Sequence, residues 1–182
     1  IPPVSVMRII SGTLKGRTFT PPERSGVRPT TDMAKEGLFN ILQHRTALEG
    51  ITVIDLFSGT GSISYEFVSR GAEMVFSVEK DSVMVDFVQS VAKKLNLKNI
   101  KPIRSDAYKF LALTAVKADI IFADPPYGTP GIADIPELVF SKNLLNEEGM
   151  LIVEHDSHLN FSSHPHFIEE RKYGKVHFSL FQ

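Results

Sequence analysis

Apolar and polar positions along this chain follow two different periods, and the change between them falls near residue 50. After Gly50, short apolar runs rich in β-branched residues recur between segments whose apolar residues are spaced three and four apart. The runs predict strands at 52–55, 74–78, 100–103, 119–123 and 150–154, and the segments between them predict helices. Strands that alternate with amphipathic helices are typical of a parallel sheet covered on both faces.

The two ends of the chain depart from this alternation. Near the C-terminus, the runs 167–172 and 176–181 flank Tyr173 and Gly174, which predicts an antiparallel hairpin. Near the N-terminus, the runs 7–10 and 15–19 predict a second hairpin, and Thr31 or Asp32 then caps a helix. We therefore expect an α/β fold with a doubly wound, mostly parallel seven-stranded sheet, an antiparallel C-terminal hairpin, and an N-terminal β-hairpin plus helix.

Composition narrows the class of protein. A chain of 182 residues, 42% of them hydrophobic, fits one domain over 1–182, with an extension at 7–48 and an α/β core at 50–182. No apolar run approaches the roughly 18 residues that a membrane span needs. The chain has no cysteine, which excludes disulfides and thiolate metal sites. With no secretory pattern either, we expect a cytoplasmic protein, a monomer without a membrane partner.

Charge is distributed unevenly along the chain. Residues 1–30 carry a net charge of +4, whereas the remaining 152 residues carry −5. A basic segment on a mildly acidic body indicates an anionic partner that meets one end of the protein, although chance clustering on a solvated surface gives the same numbers. The candidate contact residues are Arg8, Lys15, Arg17 and Arg28.

A candidate cofactor site follows three successive predicted strands. Asp55, Gly59 and Gly61 lie in Asp-Leu-Phe-Ser-Gly-Thr-Gly, directly after the first strand, where ligands bind in open α/β sheets. Glu79 ends the second strand, where an acid accepts ribose hydroxyls, and Asp106 follows the third, where it can hold an adenine amino group. The third glycine of the dinucleotide fingerprint is missing. The pattern favours S-adenosylmethionine over a dinucleotide.

The fourth strand ends in Asp124-Pro-Pro-Tyr127, which is the most specific motif in the chain. Proline has no N–H, so Pro125 and its neighbour leave Asp124 and nearby carbonyls to act as acceptors without competing donors. Acceptors of this kind suit an exocyclic amino group, whose lone pair must be freed from its ring before it attacks a methyl group. Asp124 can then receive the proton, and Tyr127 can stack on a base removed from its stack.

Taken together, these motifs resemble the bacterial RsmD family of small-subunit ribosomal RNA guanine-N2 methyltransferases. The resemblance rests on four segments: Arg8-Ile-Ile-Ser-Gly-Thr-Leu-Lys-Gly-Arg17, Arg28-Pro-Thr-Thr-Asp-Met-Ala-Lys-Glu-Gly-Leu-Phe-Asn40, the glycine motif at 55–61, and Ser69-Arg-Gly-Ala72. It implies S-adenosylmethionine as methyl donor and ribosomal RNA or a partly assembled small subunit as substrate. It also implies that Asp55, Gly59, Gly61, Glu79 and Asp106 bind the donor, that Asp124, Pro125 and Tyr127 handle the base, and that Arg8, Lys15, Arg17 and Arg28 contact RNA.

Three alternatives stay open at this point. An adenine-N6 methyltransferase acting on DNA or RNA uses the same Asp-Pro-Pro-Tyr chemistry, and only the resemblance favours guanine. A non-catalytic RNA-binding assembly factor with the same fold is possible, although the intact motif argues against lost catalysis. A nicotinamide-dependent oxidoreductase is the third.

Two further features give expectations that a structure can check. Five of the six histidines fall in the last 30 residues, and Pro165 together with the lack of a helical i, i+4 pair predicts surface or loop histidines and no metal site. His155, after a strand end, is expected near the rim of the pocket. Gly37 stands where the family has a small helix-former, which predicts a loss of about 1 kcal/mol of helix stability relative to alanine.

Overall fold

The computed structural model describes residues 6–23 and 30–182, and the N-terminal part of the described chain is a small hairpin followed by a helix. Strands β1 (Met7–Arg8) and β2 (Thr18–Phe19) pair antiparallel, and helix α1 spans Asp32–Arg45. The Thr31 side chain accepts a hydrogen bond from the backbone N–H of Ala34. Of the two candidate caps, Thr31 is therefore the N-cap.

The paired strands of this hairpin are shorter than the sequence predicts. The backbone between them bonds to helix α2 (Ser62–Ser69): the N–H groups of Ile10 and Ser11 each donate to the Glu66 carboxylate at 3.0 Å. The N–H of Leu14 donates to the hydroxyl of Ser69 at 2.9 Å. Because α2 satisfies these donors, they are not available to lengthen the ladder. The hairpin is thus docked on the core.

A seven-stranded sheet forms the centre of the molecule. Its strands are β3 (Thr52–Leu56), β4 (Met74–Glu79), β5 (Ile100–Arg104), β6 (Ala118–Ala123), β7 (Leu145–His155), β8 (Phe167–Tyr173) and β9 (Val176–Phe181). The spatial order is β5-β4-β3-β6-β7-β9-β8; the first five run parallel, and β9 is antiparallel to both of its neighbours. The predicted fold and the C-terminal hairpin are confirmed.

Helices cover both faces of this sheet and complete two apolar layers. Helices α3 (Ser82–Lys94), α4 (Ala107–Leu113) and α5 (Ile135–Ser141) follow β4, β5 and β6. One layer includes residues of α1, α2 and α3, and the other includes residues of α4 and α5. Residues of the N-terminal hairpin belong to the first layer, so the extension and the sheet share one core. Among the described residues, no helix has both the length and the apolar character that crossing a bilayer requires.

Strand order reverses between β3 and β6. After β5 at one edge, the chain returns to place β6 beside β3 and then continues outward through β7. Ligands of open α/β sheets bind beyond the carboxyl ends of the strands at such a point. The ends of β3, β4, β6 and β7 therefore define the region in which to look for a site.

Gly37 has a packing role that the sequence does not reveal. A Cβ on this residue of α1 would lie 2.4 Å from a ring carbon of Tyr173, on β8. The Tyr173 hydroxyl also donates to the Gly37 carbonyl at 3.3 Å. The expected penalty against alanine is therefore outweighed here, because alanine would displace the tyrosine that joins α1 to the C-terminal hairpin.

Candidate active site

The loop after β3 has an unusual backbone. Three of its residues adopt positive φ angles: Phe57 at 57°, Gly59 at 52° and Gly61 at 82°. A Cβ at Gly61 would lie 2.8 Å from the Tyr65 ring, so glycine is required there by packing as well as by conformation. For Phe57, a bulky residue, the left-handed conformation is strained, and strain of this kind concentrates at functional sites.

Glu79, at the end of β4, holds this loop in place. One carboxylate oxygen accepts the N–H of Gly59 at 2.9 Å, and the other accepts the N–H of Asp81 at 2.9 Å. A carboxylate oxygen has two lone pairs, so each retains one for a further donor. Glu79 is partly exposed, and the predicted ribose contact is compatible with its structural role.

Asp106 lies at the same edge but is engaged locally. It is the N-cap of α4, and its carboxylate accepts the N–H of Lys109 at 3.0 Å. The N–H of Ser105 donates to the Glu79 carbonyl at 3.0 Å, which ties the end of β5 to the end of β4. Asp106 is exposed, so a ligand lying along this edge can reach its free lone pairs.

Asp55 differs from the other two acids because it is almost fully buried. It is 1% exposed, and the Ser64 hydroxyl donates to its carboxyl at 2.6 Å. Burial is the main cause that raises the pKa of Asp55 to about 7, and the charge of Glu79 adds to it. The residue predicted to line the donor therefore contributes a buried carboxyl below the loop.

The Asp-Pro-Pro-Tyr segment leaves β6 beside the loop after β3. The N–H of Asp124 donates to the carbonyl of Leu56 at 3.4 Å, which keeps the two strand ends together. Pro125 is buried, while Asp124 and Tyr127 are partly exposed. Burial, followed by the charges of Glu154 and Asp55, raises the pKa of Asp124 well above its usual range.

Glu154, a residue that the sequence analysis did not single out, completes this site. Ala123 of β6 pairs with Val153 of β7, which brings Asp124 and Glu154 side by side one residue later. The Tyr127 hydroxyl donates to one oxygen of Glu154 at 3.3 Å, and the other oxygen is buried without a hydrogen bond to any described residue. Burial raises the pKa of Glu154 to about 7. The sequence feature that could have identified Glu154 is the position of this acid directly after the apolar run 150–153.

Three carboxyl groups, of which those of Asp55 and Glu154 are buried and that of Asp124 is partly exposed, determine which ligands this region can accept. Asp55, Asp124 and Glu154 end three adjacent strands, and none forms an ion pair with a lysine or arginine among residues 6–23 and 30–182. The pKa of each is raised because no positive charge compensates for burial. A cationic ligand would stabilise the ionised forms, whereas a pyrophosphate would be repelled. The residues present thus fit S-adenosylmethionine, which carries a positive sulfur.

The predicted RNA-contact residues lie on the docked hairpin. Arg8, Lys15 and Arg17 are exposed, and Arg8 forms an ion pair with Asp32 at 2.7 Å. The Thr60 hydroxyl, in the loop after β3, lies 3.5 Å from Sδ of Met7, so the hairpin adjoins the candidate cofactor site. Arg28 lies outside the described residues.

A buried ionic group anchors this hairpin to the core, and sequence reasoning also missed it. Lys35 of α1 is 1% exposed; its Nζ donates to the Arg8 carbonyl at 2.5 Å and lies 3.4 Å from the Glu66 carboxylate. Arg70 pairs with Glu66 at 3.0 Å. Burial lowers the pKa of Lys35, and the charge of Glu66 opposes that effect.

The expectation for the histidines is wrong at two positions. His155 on β7 and His177 on β9 are buried, at 0% and 7% exposure, because they pair across adjacent strands inside the sheet. His158, in contrast, has a side chain that is 88% exposed, as predicted. His155 also lines a cavity of about 250 Å³ together with Tyr127, which agrees with a place near the pocket.

Comparison with known proteins gives consistent results. The chain matches the family described as Conserved hypothetical protein 95 over residues 7–182. It is 35% identical over 154 residues to YlbH of Bacillus subtilis (strain 168), covering 82% of this chain and 83% of that protein. It is 30% identical over 184 residues to Ribosomal RNA small subunit methyltransferase D of Escherichia coli (strain K12), covering 97% and 89%.

A solved structure shows the same architecture. The structure of yhhF from Escherichia coli superposes with a TM-score of 0.86 at 26% identity and covers 98% of both chains. The family match extends from the hairpin to the last strand, and so includes the glycine loop, the Asp-Pro-Pro-Tyr segment and the strand that carries Glu154. The chain therefore belongs to the RsmD family, the one described as Conserved hypothetical protein 95.

Proposed function

We propose that this protein transfers a methyl group from S-adenosylmethionine to the exocyclic N2 amino group of a guanine in small-subunit (16S) ribosomal RNA. The observation that carries the proposal is the pair formed by Asp124 and Glu154, two neighbouring carboxyl groups that hydrogen-bond to each other and that no lysine or arginine neutralises among the described residues. The name of the Escherichia coli relative supports ribosomal RNA as the substrate class.

The methyl donor fits the loop after β3 and the acids around it. S-adenosylmethionine supplies a methyl group that the positive charge of its sulfur already activates. Asp55, Gly59 and Gly61 would line the donor, Glu79 would accept hydrogen bonds from its ribose, and Asp106 would accept one from its adenine. The carboxyl groups of this region, which no lysine or arginine pairs among the described residues, favour such a cationic ligand and disfavour a nicotinamide dinucleotide.

The pair of carboxyl groups favours guanine over adenine. Guanine presents two adjacent donors, N1–H and N2–H₂, whereas adenine presents N6–H₂ beside N1, which is an acceptor. Once the positive charge of the bound donor lowers their raised pKa values, ionised Asp124 and Glu154 would offer two adjacent acceptors, which match guanine and leave adenine N1 facing a second acceptor. Hydrogen bonds with Tyr127 and Asp124 oppose the effect of burial on the pKa of Glu154, and a cationic donor would lower this pKa further.

Asp124 has the position of the proton acceptor. Its carboxylate would accept a hydrogen bond from the amino group, which favours a pyramidal nitrogen whose lone pair points at the methyl carbon. Asp124 would take the proton that the amino nitrogen gives up as it gains the methyl group and the donor leaves as its neutral thioether. Pro125 has no N–H group, so it adds no donor beside Asp124. Tyr127 would both stack on the base and orient Glu154.

The exposed cations of the hairpin would bind the RNA backbone. Arg8, Lys15 and Arg17 lie on the part of the protein that adjoins the loop after β3. Arg28 is proposed as a further RNA contact on the sequence alone. Contacts of this kind hold a substrate without reading its sequence and weaken with salt. The binding of a partly assembled small subunit by a monomer is part of this proposal.

The test is methyl transfer to ribosomal RNA from cells that lack the protein, with the products identified by nucleoside mass spectrometry. We expect N2-methylguanosine at one site, and a rate that rises with pH because Asp124 and Glu154, whose pKa values are both raised, must be ionised. Glu154→Gln should lower the rate about 100-fold or more, since the amide places a donor opposite N1–H. Glu147→Gln, on an exposed acid of the same strand, is the control.

Each alternative predicts a different product. N6-methyladenosine in RNA or DNA would contradict the proposal and show that the protein is an adenine methyltransferase. Tight binding to ribosomal RNA without methyl transfer to any nucleotide would contradict the proposal and indicate a non-catalytic assembly factor. Unchanged guanine methylation in Glu154→Gln would refute the role given to the carboxyl pair.

A further inference from the structure

A second group of buried ligating side chains lies on the other face of β7. Consecutive residues of a strand point to opposite faces, so His155 faces away from the side that Glu154 shares with Asp124. On the face of His155, β9 places His177 directly opposite it, and β8 adds Glu170. One ligating atom from each of the three side chains lies within 4.8 Å of the other two.

The distances suit a small metal ion. Oε1 of Glu170 lies 3.3 Å from Nδ1 of His177 and 3.6 Å from Nε2 of His155. Zinc binds nitrogen and oxygen at about 2.0–2.2 Å in a tetrahedron, whose edges are then about 3.3–3.6 Å. The three ligating atoms are therefore already separated as two edges of such a site require.

The hydrogen bonds fix which nitrogen of His155 carries its proton. Nδ1 lies 2.7 Å from the carbonyl oxygen of Asp156, and a carbonyl only accepts, so Nδ1 is the donor. Nε2 consequently carries the lone pair, which now accepts the Ser179 hydroxyl at 2.7 Å. A carbonyl behind one nitrogen of a histidine is the arrangement that orients metal ligands. Rotation of the Ser179 hydroxyl group releases Nε2 for a metal.

Nδ1 of His177 contacts the Glu170 carboxylate but has no hydrogen bond of acceptable geometry within the described chain. This residue is only 7% exposed, yet its Nδ1 has no hydrogen bond among the described residues. Buried polar atoms are satisfied in most proteins, and an unsatisfied one calls for an explanation such as an ion. Nδ1 of His177 is also the atom that lies closest to Glu170.

A cavity gives access to this group. Its volume is about 300 Å³, and its lining includes Glu170, His177, Asn160, Phe161 and Lys172. Nζ of Lys172 lies 3.7 Å from the second oxygen of Glu170, and the side chain is 64% exposed. Lys172 can therefore swing into solvent when a cation replaces it, and the cavity leaves room for a water molecule as fourth ligand.

We propose that His155, Glu170 and His177 bind one divalent transition-metal ion, of which zinc fits best, with a water molecule from the cavity as fourth ligand. Two imidazoles and one carboxylate are ligands that zinc accepts. The ion would join β7, β8 and β9 at the sheet edge, one residue from Glu154. This proposal does not depend on the methyltransferase function, since it concerns other side chains on the opposite face.

The test is titration of the chelator-treated, untagged protein with Zn²⁺ by calorimetry and with Co²⁺ by visible absorption. We expect one ion per chain, Co²⁺ bands typical of four-coordinate nitrogen and oxygen ligands, and a higher melting temperature with Zn²⁺. Glu170→Gln and His177→Phe, which keep the side-chain size, should weaken binding by about 100-fold. His158→Gln, at an exposed histidine next to the site, should leave affinity unchanged.

Three results would overturn the proposal. The first is no saturable binding of either metal to the folded wild-type protein. The second is equal affinity in the folded His177→Phe variant, which would mean adventitious binding elsewhere. If either variant fails to fold, X-ray absorption of the Zn²⁺-loaded wild type decides, because fewer than two imidazole ligands would exclude this site.

Discussion

Two clusters of ionisable side chains in this protein are built in opposite ways. In the first, Lys35 lies between the carboxylate of Glu66 and the backbone of the hairpin, and Arg70 completes the pairing. In the second, Asp55, Asp124 and Glu154 bring three carboxyl groups together with no lysine or arginine paired to them in the described chain. The first group is neutralised by the protein itself, whereas the second requires protons or a ligand.

The difference separates a structural role from a functional one. Burying a charge is costly unless it is paired, so a folded protein keeps an unpaired cluster only where something else stabilises it. The paired group docks the N-terminal hairpin on α2. The unpaired group lies at the switch point of the sheet, where a cationic methyl donor and an amino group would replace the protons that it now holds.

The largest effect should come from the acid that faces the amino group. Asp124→Ala removes the proton acceptor, and we expect methyl transfer to fall about 1,000-fold, while affinity for S-adenosylmethionine falls far less because Asp55 and Glu154 remain. Single-turnover assays and calorimetry measure the two quantities. Asp134→Ala, at an exposed residue of the following turn, serves as control. Methyl transfer at the parent rate would contradict the proposed chemistry.

A substitution in the paired group should lower the stability of the folded protein. Glu66→Gln leaves Lys35 buried beside an uncharged partner, and we expect the free energy of unfolding to fall by about 3–5 kcal/mol. Glu154→Gln should change it by less than about 1 kcal/mol, or raise it above pH 7, because it removes an unpaired charge. Urea unfolding measures both. A larger loss of stability in Glu154→Gln than in Glu66→Gln would contradict this comparison.

The unpaired group also predicts how stability depends on pH. The pKa of Asp55 is about 7 in the folded protein, above that of the unfolded chain, so the folded state holds a proton that the unfolded state releases near pH 4. Its contribution to stability is therefore present at low pH and is lost as pH rises to about 7. Relative to Asp55→Asn, we expect a loss on the order of 3 kcal/mol.

Urea unfolding between pH 5 and pH 8.5 measures this loss. S-adenosylmethionine should restore stability most at the alkaline end, because its positive charge replaces the proton. Equal pH dependence in wild type and Asp55→Asn would show that the carboxyl is not held as described.

The smallest effect concerns the hairpin surface. Replacing Arg8, Lys15 and Arg17 together by glutamine should weaken RNA binding about 10- to 100-fold at moderate salt and reduce its salt dependence. Affinity for S-adenosylmethionine and stability should stay within error, because these side chains are exposed. Filter binding over a salt series is the measurement, with Lys93 and Lys94 on the last turn of α3 replaced as control. Unchanged RNA affinity would show that the hairpin is not part of the RNA-binding surface.

Local patterns were sufficient to predict most of the fold. The apolar runs identified every strand of the sheet, and the glycine and Asp-Pro-Pro-Tyr motifs identified the strand ends that form the site, because both signals lie within a few neighbouring residues. The hairpin strands were predicted too long, since the sequence does not show that Glu66 would take the N–H groups of Ile10 and Ser11.

The residues that sequence reasoning missed depend on pairing between distant segments. Glu154 matters because β7 pairs with β6 in one particular register, and His155, Glu170 and His177 meet because β9 and β8 pair with β7. Lys35 and Glu66 come together through the packing of α1 on α2. A shift of one residue in any of these registers would turn the side chains to the other face, so no local pattern could predict these groups.

The most direct test of the central claim is a crystal structure of the protein with S-adenosylhomocysteine and an RNA fragment that contains the mapped target guanine. The account predicts guanine N1 within hydrogen-bond distance of Glu154, and N2 within hydrogen-bond distance of Asp124 and in line with the sulfur. A guanine bound with its N2 turned away from Asp124, or with Glu154 in contact only with protein, would contradict it.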